Sequence, residues 1–215
     1  MSFFSRLLML VVAGVASCAA EIPHNDYGLP VVRSVGIFKE LVRRDPSKRL
    51  VDLRDMGSGV LIDIRYAKEN NFMQRCVYTI ARPLLREPAA MVLREVQRDL
   101  AEQGLGIKVL DAYRPYQVTQ QMWGPATTAG RRSFLTLVEL ATGREFEMPT
   151  AYYDFPSRAH HGFLQLEEQV MRHRGPLREV MERQGFERFS PEGRHYDLGR
   201  WVRFESMSLP LEEVP

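Results

Sequence analysis

Beyond residue 20, apolar positions along the chain switch between a period of two and a period near 3.6. Val60-Leu61-Ile62-Asp63-Ile64-Arg65-Tyr66 is β-branched and partly alternating, which predicts a strand. Pro88 suits the first turn of a helix. Ala89, Val92, Leu93, Val96 and Leu100 follow at helical spacing, with Gly104 as the stop. Ile107 and Val109 mark a second strand that runs into Asp111-Ala112-Tyr113-Arg114-Pro115, where Pro115 pushes Arg114 out of helical geometry. Phe134 to Leu140 predicts a third strand, Ala141-Thr142-Gly143 a turn, and Glu145 to Met148 a returning hairpin arm. Leu166 to His173 reads as one helix. Pro176 starts another, with Leu177, Val180 and Met181 on one face and Gly185 at its end. Tyr196 to Phe204 reads as a last strand with a bulge at Gly199. Residues 21–58 carry Pro23, Pro30 and Pro46 in a mixed polar context and are expected to wrap the surface, and 67–86 to form a loop. Helices and strands segregate rather than alternate. The expected fold is therefore α+β, one domain over 21–215, with a small antiparallel-type sheet and helices packed on one side.

The first 20 residues follow another rule. Arg6 precedes the apolar run Leu7 to Ala16, and small residues follow it. This is the order of an export signal, and the run is too short to span a bilayer stably. Val15-Ala16-Ser17-Cys18 has the form of a lipoprotein box with Cys18 as the lipidated residue, and ordinary cleavage near Ala20 is the alternative. Both put the mature chain in the periplasm or cell envelope, touching membrane at most through that anchor. Cys76 is then left without a partner and is expected to be a buried or half-buried thiol.

Composition removes several function classes. The 29 Lys and Arg residues nearly balance 27 Asp and Glu, giving a net charge of +2. Nucleic-acid binding would need a basic surplus on one face. No Gly-rich phosphate loop and no serine nucleophile elbow is present. Two cysteines are too few for a disulfide scaffold or a four-cysteine zinc site.

Several segments, taken in order, carry a resemblance. They are Arg65-Tyr66-Ala67 with Asn70-Asn71-Phe72, then Asp111-Ala112-Tyr113-Arg114-Pro115-Tyr116, then Leu135 to Gly143. Ala159-His160-His161 and Gly185-Phe186 follow, and Glu192-Gly193-Arg194-His195-Tyr196 closes the series. Together, over about residues 55 to 198, they resemble the bacterial D-alanyl-D-alanine dipeptidases, VanX-type zinc peptidases. The resemblance implies hydrolysis of the D-Ala-D-Ala dipeptide of cell-wall metabolism, and a small D-amino-acid peptide as partner. It also implies a zinc held by His, Asp and His, a glutamate as general base, and an arginine facing the developing oxyanion. On this chain Arg114 matches the arginine, Glu192 the base and His195 the last zinc ligand. A strand-end arginine that pairs with an acidic surface group is the plainer reading of Arg114.

The chain also departs from the family pattern. Aligned on Leu135-Thr136-Leu137, the first two ligand positions hold Thr127 and Phe134, neither a useful zinc ligand. The interval between Arg114 and Leu135 is shorter than the family's, as though a loop were deleted. Gly193 and Arg194 replace two tryptophans. A family aspartate that holds the substrate's amino group falls on Tyr153, beside Asp154. Substitute ligands could come only from His160, His161 or Asp154, and the plain reading of the two histidines is loop packing. One ligand of three does not make a high-affinity zinc site, so the expectation is a weak or inactive dipeptidase in which the family's zinc is loosely held or lost. A non-catalytic envelope binding or structural protein on the same fold is the alternative, and a damaged copy a third reading.

Overall fold

The computed structural model describes residues 21–25, 28–123, 133–149, 160, 162–189, 193–199 and 203–215. Its centre is a five-stranded sheet. In chain order the strands are β3 (Leu61–Ile62), β5 (Leu105–Asp111), β6 (Ser133–Glu139), β7 (Phe186–Arg188) and β8 (His195–Leu198). Their spatial order is β3-β5-β6-β8-β7, with β3 parallel to β5 and every other pair antiparallel. Two short ribbons flank it: β1 (Val31–Val32) runs parallel to β9 (Ser206–Met207), and β2 (Leu50–Asp52) antiparallel to β4 (Leu84–Arg86).

Two helices cover the sheet. The helix α2 (Glu87–Ala101) has Pro88 in its first turn, as read from the sequence, and buries Ala90, Leu93, Val96 and Leu100. Gly104, three residues on, takes a φ of +70°, a region open to glycine at little cost. The helix α4 (Glu168–Arg183) buries Val170, Leu177, Val180 and Met181. It packs on α2 and on β6 and β7. Ile107, Val109, Leu110, Leu135 and Leu137 are fully or almost fully buried beneath them. The α+β, single-domain expectation therefore holds, with a mostly antiparallel sheet that has one parallel edge pair.

Several local expectations are corrected. Pro176 lies inside α4 and does not start a second helix. A proline inside a helix gives up one hydrogen bond and crowds both the carbonyl four residues back and the Cβ of the residue before it. Here the residue before it is Gly175, which has no Cβ, so one of those clashes is absent. The strand expected over Val60–Tyr66 stops at Ile62, and Arg65–Ala67 is a 3-10 turn. Residues 67–86 are not all loop, since β4 occupies their end. Glu145 to Met148 makes one bridge, Val138 to Glu145, rather than a full arm. The strand expected over Tyr196–Phe204 is β8, which ends at Leu198, where Gly199 leaves the ladder and donates to the Gly185 carbonyl (3.1 Å).

Residues 21–58 do more than wrap the surface. They supply β1, β2 and the helix α1 (Val35–Arg44), in which Phe38 is buried and Val35, Leu41 and Val42 pack on the core. Those residues stand at i, i+3, i+6 and i+7, a helical pattern that the flanking prolines obscured. The helix α3 (Tyr116–Trp123), with no element expected there, begins just after Pro115. The C-terminal segment closes the fold over this region. Tyr113 donates its hydroxyl to the Leu209 carbonyl (2.8 Å), and Leu209 N–H donates back to it (3.0 Å). Arg82 donates to the carbonyls of Leu211 and Val214. Leu209, Leu211 and Val214 are buried.

Leu177 is fully buried at the centre of the α4 face. Leu177→Ala should lower the unfolding free energy by about 3 kcal/mol, read from urea denaturation, through lost transfer energy and a residual cavity.

Candidate functional site

A row of residues crosses the sheet at one end. Asp111 closes β5 and stands opposite Phe134 on β6, and Phe134 stands opposite His195 on β8. A register shift between Val109 and Asp111 sets the first pairing. The row continues past β8, where Phe189 N–H donates to the His195 carbonyl (3.1 Å). Leu135 N–H donates to the Arg194 carbonyl (3.1 Å), which locks the register of β6 on β8.

Asp111 organises one half of the row. Its Oδ2 accepts from Arg114 Nε (2.9 Å) and from the same guanidinium's terminal nitrogen (2.6 Å), a two-pronged pairing. Its Oδ1 accepts from the Tyr78 hydroxyl (3.0 Å). All three side chains are buried, Arg114 to 3% exposure. Arg114 is thus neither a surface pair nor an open arm; its partner is an aspartate inside the fold. Burial pushes the Asp111 carboxyl up from its usual value, while the Arg114 charge and the Arg114 and Tyr78 hydrogen bonds pull it back down. Burial, then the charge of Asp111, raises the Tyr78 hydroxyl well above the ordinary phenol range.

The aromatic wall around Arg114 comes from the loop before β4. Asn71, itself buried, donates through Nδ2 to the carbonyls of Lys68 (2.6 Å) and Arg75 (2.9 Å), and its Oδ1 accepts from Met73 N–H (2.9 Å). That folds the loop so that Tyr66 meets Phe72 and Tyr78 edge-on, at 6.1 Å and 5.7 Å between ring centres. The Arg114 guanidinium lies over the Tyr66 ring at 4.8 Å and over the Phe134 ring at 5.4 Å.

His195 forms the other half. It is fully buried. Its imidazole lies against Phe134 (5.1 Å between centres, 39° between planes) and against Phe189 (4.7 Å, 36°). Asp197, two residues along the same strand, brings Oδ2 to 3.5 Å from Nε2. His160 is exposed, and its carbonyl accepts from Arg174 (3.4 Å), a guanidinium buried in α4 that also donates to the Phe163 carbonyl (2.9 Å). Burial is the largest influence lowering the Arg174 pKa. Cys76, expected to be buried or half-buried, is exposed, with its thiol 3.7 Å from the Ala67 carbonyl. Glu192, Thr127, His161, Asp154 and Cys18, like residues 1–20, expected to be an export signal, lie outside the described residues.

Among the described residues, the donor set does not fit a catalytic zinc ion. Such a site takes three protein ligands around one point. Here a phenyl ring faces His195 from the position where the sequence pattern calls for an aspartate ligand. Among the described residues, no group of three His, Cys, Asp or Glu side chains could hold a metal ion. Sequence reading found Arg114, Phe134 and His195 but gave no role to Tyr66, Tyr78, Asp111 or Phe189. The carboxylate three residues before Arg114 was the legible signal for Asp111. Tyr78 and Phe189 gave none, because only the fold brings them near.

Comparison with known proteins bears on this geometry. The profile described as D-ala-D-ala dipeptidase matches residues 46–127 and 123–205. The two stretches meet where the sequence reading places a missing loop. Curated D-alanyl-D-alanine dipeptidases are similar: that of Enterococcus faecalis is 27% identical over 68% of this chain and 89% of its own length. That of Escherichia coli is 26% identical over 69% of this chain and 84% of its own.

The Asp111 pairing yields a measurable asymmetry. Asp111→Ala strands a buried guanidinium and should cost about 3–5 kcal/mol of stability. Tyr78→Phe removes one hydrogen bond and should cost about 1–2 kcal/mol. Urea melts of the two variants check the order.

Proposed function

Because the chain belongs to the D-ala-D-ala dipeptidase family, we propose that it is an envelope member of that lineage whose own metal-dependent hydrolysis is weak or lost. The family relation supports a small D-amino-acid dipeptide as the compound to which the lineage is fitted. The observation that carries the loss is the Phe134 ring seated against His195 across β6 and β8. A phenyl ring offers no lone pair, so this position contributes no ligand beside the imidazole.

Arg114 is held just past the end of β5 by a carboxylate, and Tyr66 covers it. The family's chemistry needs a Lewis acid held beside such residues. Zinc lowers the pKa of bound water to about 7 and polarises a scissile carbonyl. Without that ion the attacking water is not activated, and amide hydrolysis loses its main rate terms. Envelope placement rests on the pattern of residues 1–20 alone. Expression of the full chain with labelled palmitate tests it, since lipidation at Cys18 gives a labelled band that Cys18→Ser abolishes.

The direct test is metal content together with turnover. The purified mature protein, dialysed against zinc, should carry well under one equivalent and release no D-alanine from D-Ala-D-Ala above background. One equivalent of zinc with steady D-alanine release overturns the reading. Calorimetric binding of the dipeptide without release would favour a non-catalytic binding protein on the same fold.

A further inference from the structure

The contacts around Phe134 form a connected chain. The Tyr66 ring meets the Arg114 guanidinium (4.8 Å), which meets the Phe134 ring (5.4 Å). Phe134 meets the His195 imidazole (5.1 Å), which meets the Phe189 ring (4.7 Å). Every aromatic separation falls in the range of favourable offset or tilted ring pairs. The one cation, Arg114, lies within reach of two ring faces. The five side chains come from five places in the sequence: the turn after β3, the segment just after β5, and the starts of β6 and β8, with the segment after β7 last.

We propose that this cation–aromatic column is the cross-tie of the domain, joining the ends of β5, β6 and β8 through Phe134 with no metal ion taking part. The proposal rests on the family reading only for the statement that Phe134 occupies a ligand position. The column itself stands on the distances.

Two features support it. First, the column crosses the β6–β8 seam at the Phe134–His195 pair, beside the Leu135 to Arg194 hydrogen bond, so ring contacts and ladder act at the same place. Second, Phe134 and His195 are both buried, at 5% and 0% exposure, so the contact is dry and the dispersion it gains is not returned to water. Phe134 also touches both halves of the row, the Arg114 pairing and the imidazole. Its removal should loosen both at once.

Ring-current shifts read this directly. In the carbon–proton NMR spectrum of the full mature chain, the His195 Cε1–H resonance should lie upfield of an ordinary imidazole. It should move back in Phe134→Leu, which keeps apolar bulk but no ring face, and likewise in Phe189→Leu. Phe134→Ala should lower the melting temperature by roughly 10 °C. A chelator should leave the melting temperature of the unaltered chain unchanged. If Phe134→Leu does not fold, Phe189→Leu reports on the same imidazole from its other face.

Three results would overturn the column: an ordinary His195 position, no movement in the leucine variants, or a zinc chloride titration that shifts His195 and raises the melting temperature. Dipeptide hydrolysis with an intact column would sink the functional reading alone. An ordinary His195 resonance in an inactive protein would sink the column alone.

Discussion

A guanidinium buried to 3% exposure needs a partner, and the sheet end is arranged to provide one. Taking a charge out of water costs several kcal/mol unless a counter-charge and hydrogen bonds replace the solvent. Asp111 supplies both, because it closes β5 and Arg114 follows it by three residues. The helix α3 starts directly after Pro115. The Tyr113 hydroxyl ties the intervening segment to Leu209. The C-terminal tail is therefore part of the frame that fixes the pairing. Tyr78, Tyr66 and Phe134 shield it from water, and Phe134 passes the arrangement on to His195.

This frame is separable from metal chemistry. Position 134, where the resemblance leads one to expect a ligand, holds a phenylalanine whose ring touches the Arg114 guanidinium on one side and the His195 imidazole on the other.

Much of the scaffold was legible because its signals were local. The α2 stripe needed only Pro88, a helical period and Gly104. The strands β5 and β6 announced themselves through Ile107, Val109 and the Leu135 to Leu137 alternation. Misreadings came where local signals conflict with tertiary context. Pro176 looked like a helix start because the tolerance provided by Gly175 is a property of the pair. The α1 stripe was hidden among prolines. The strands β1 and β9 are two residues each and parallel across most of the chain, so no short window could pair them. At the site, Arg114, Phe134 and His195 could be named from sequence motifs, but their meeting in one row depends on register. Tyr78 and Phe189 join through folding alone.

The central claim is that a ring, and not an ion, is what His195 faces. Crystals of the full mature chain grown with excess zinc, with diffraction recorded on both sides of the zinc absorption edge, test this most directly. The account predicts no anomalous peak at the ~2.0–2.1 Å coordination distance from a His195 ring nitrogen. A fully occupied peak there, completed by other protein side chains and with the Phe134 ring displaced, would contradict it.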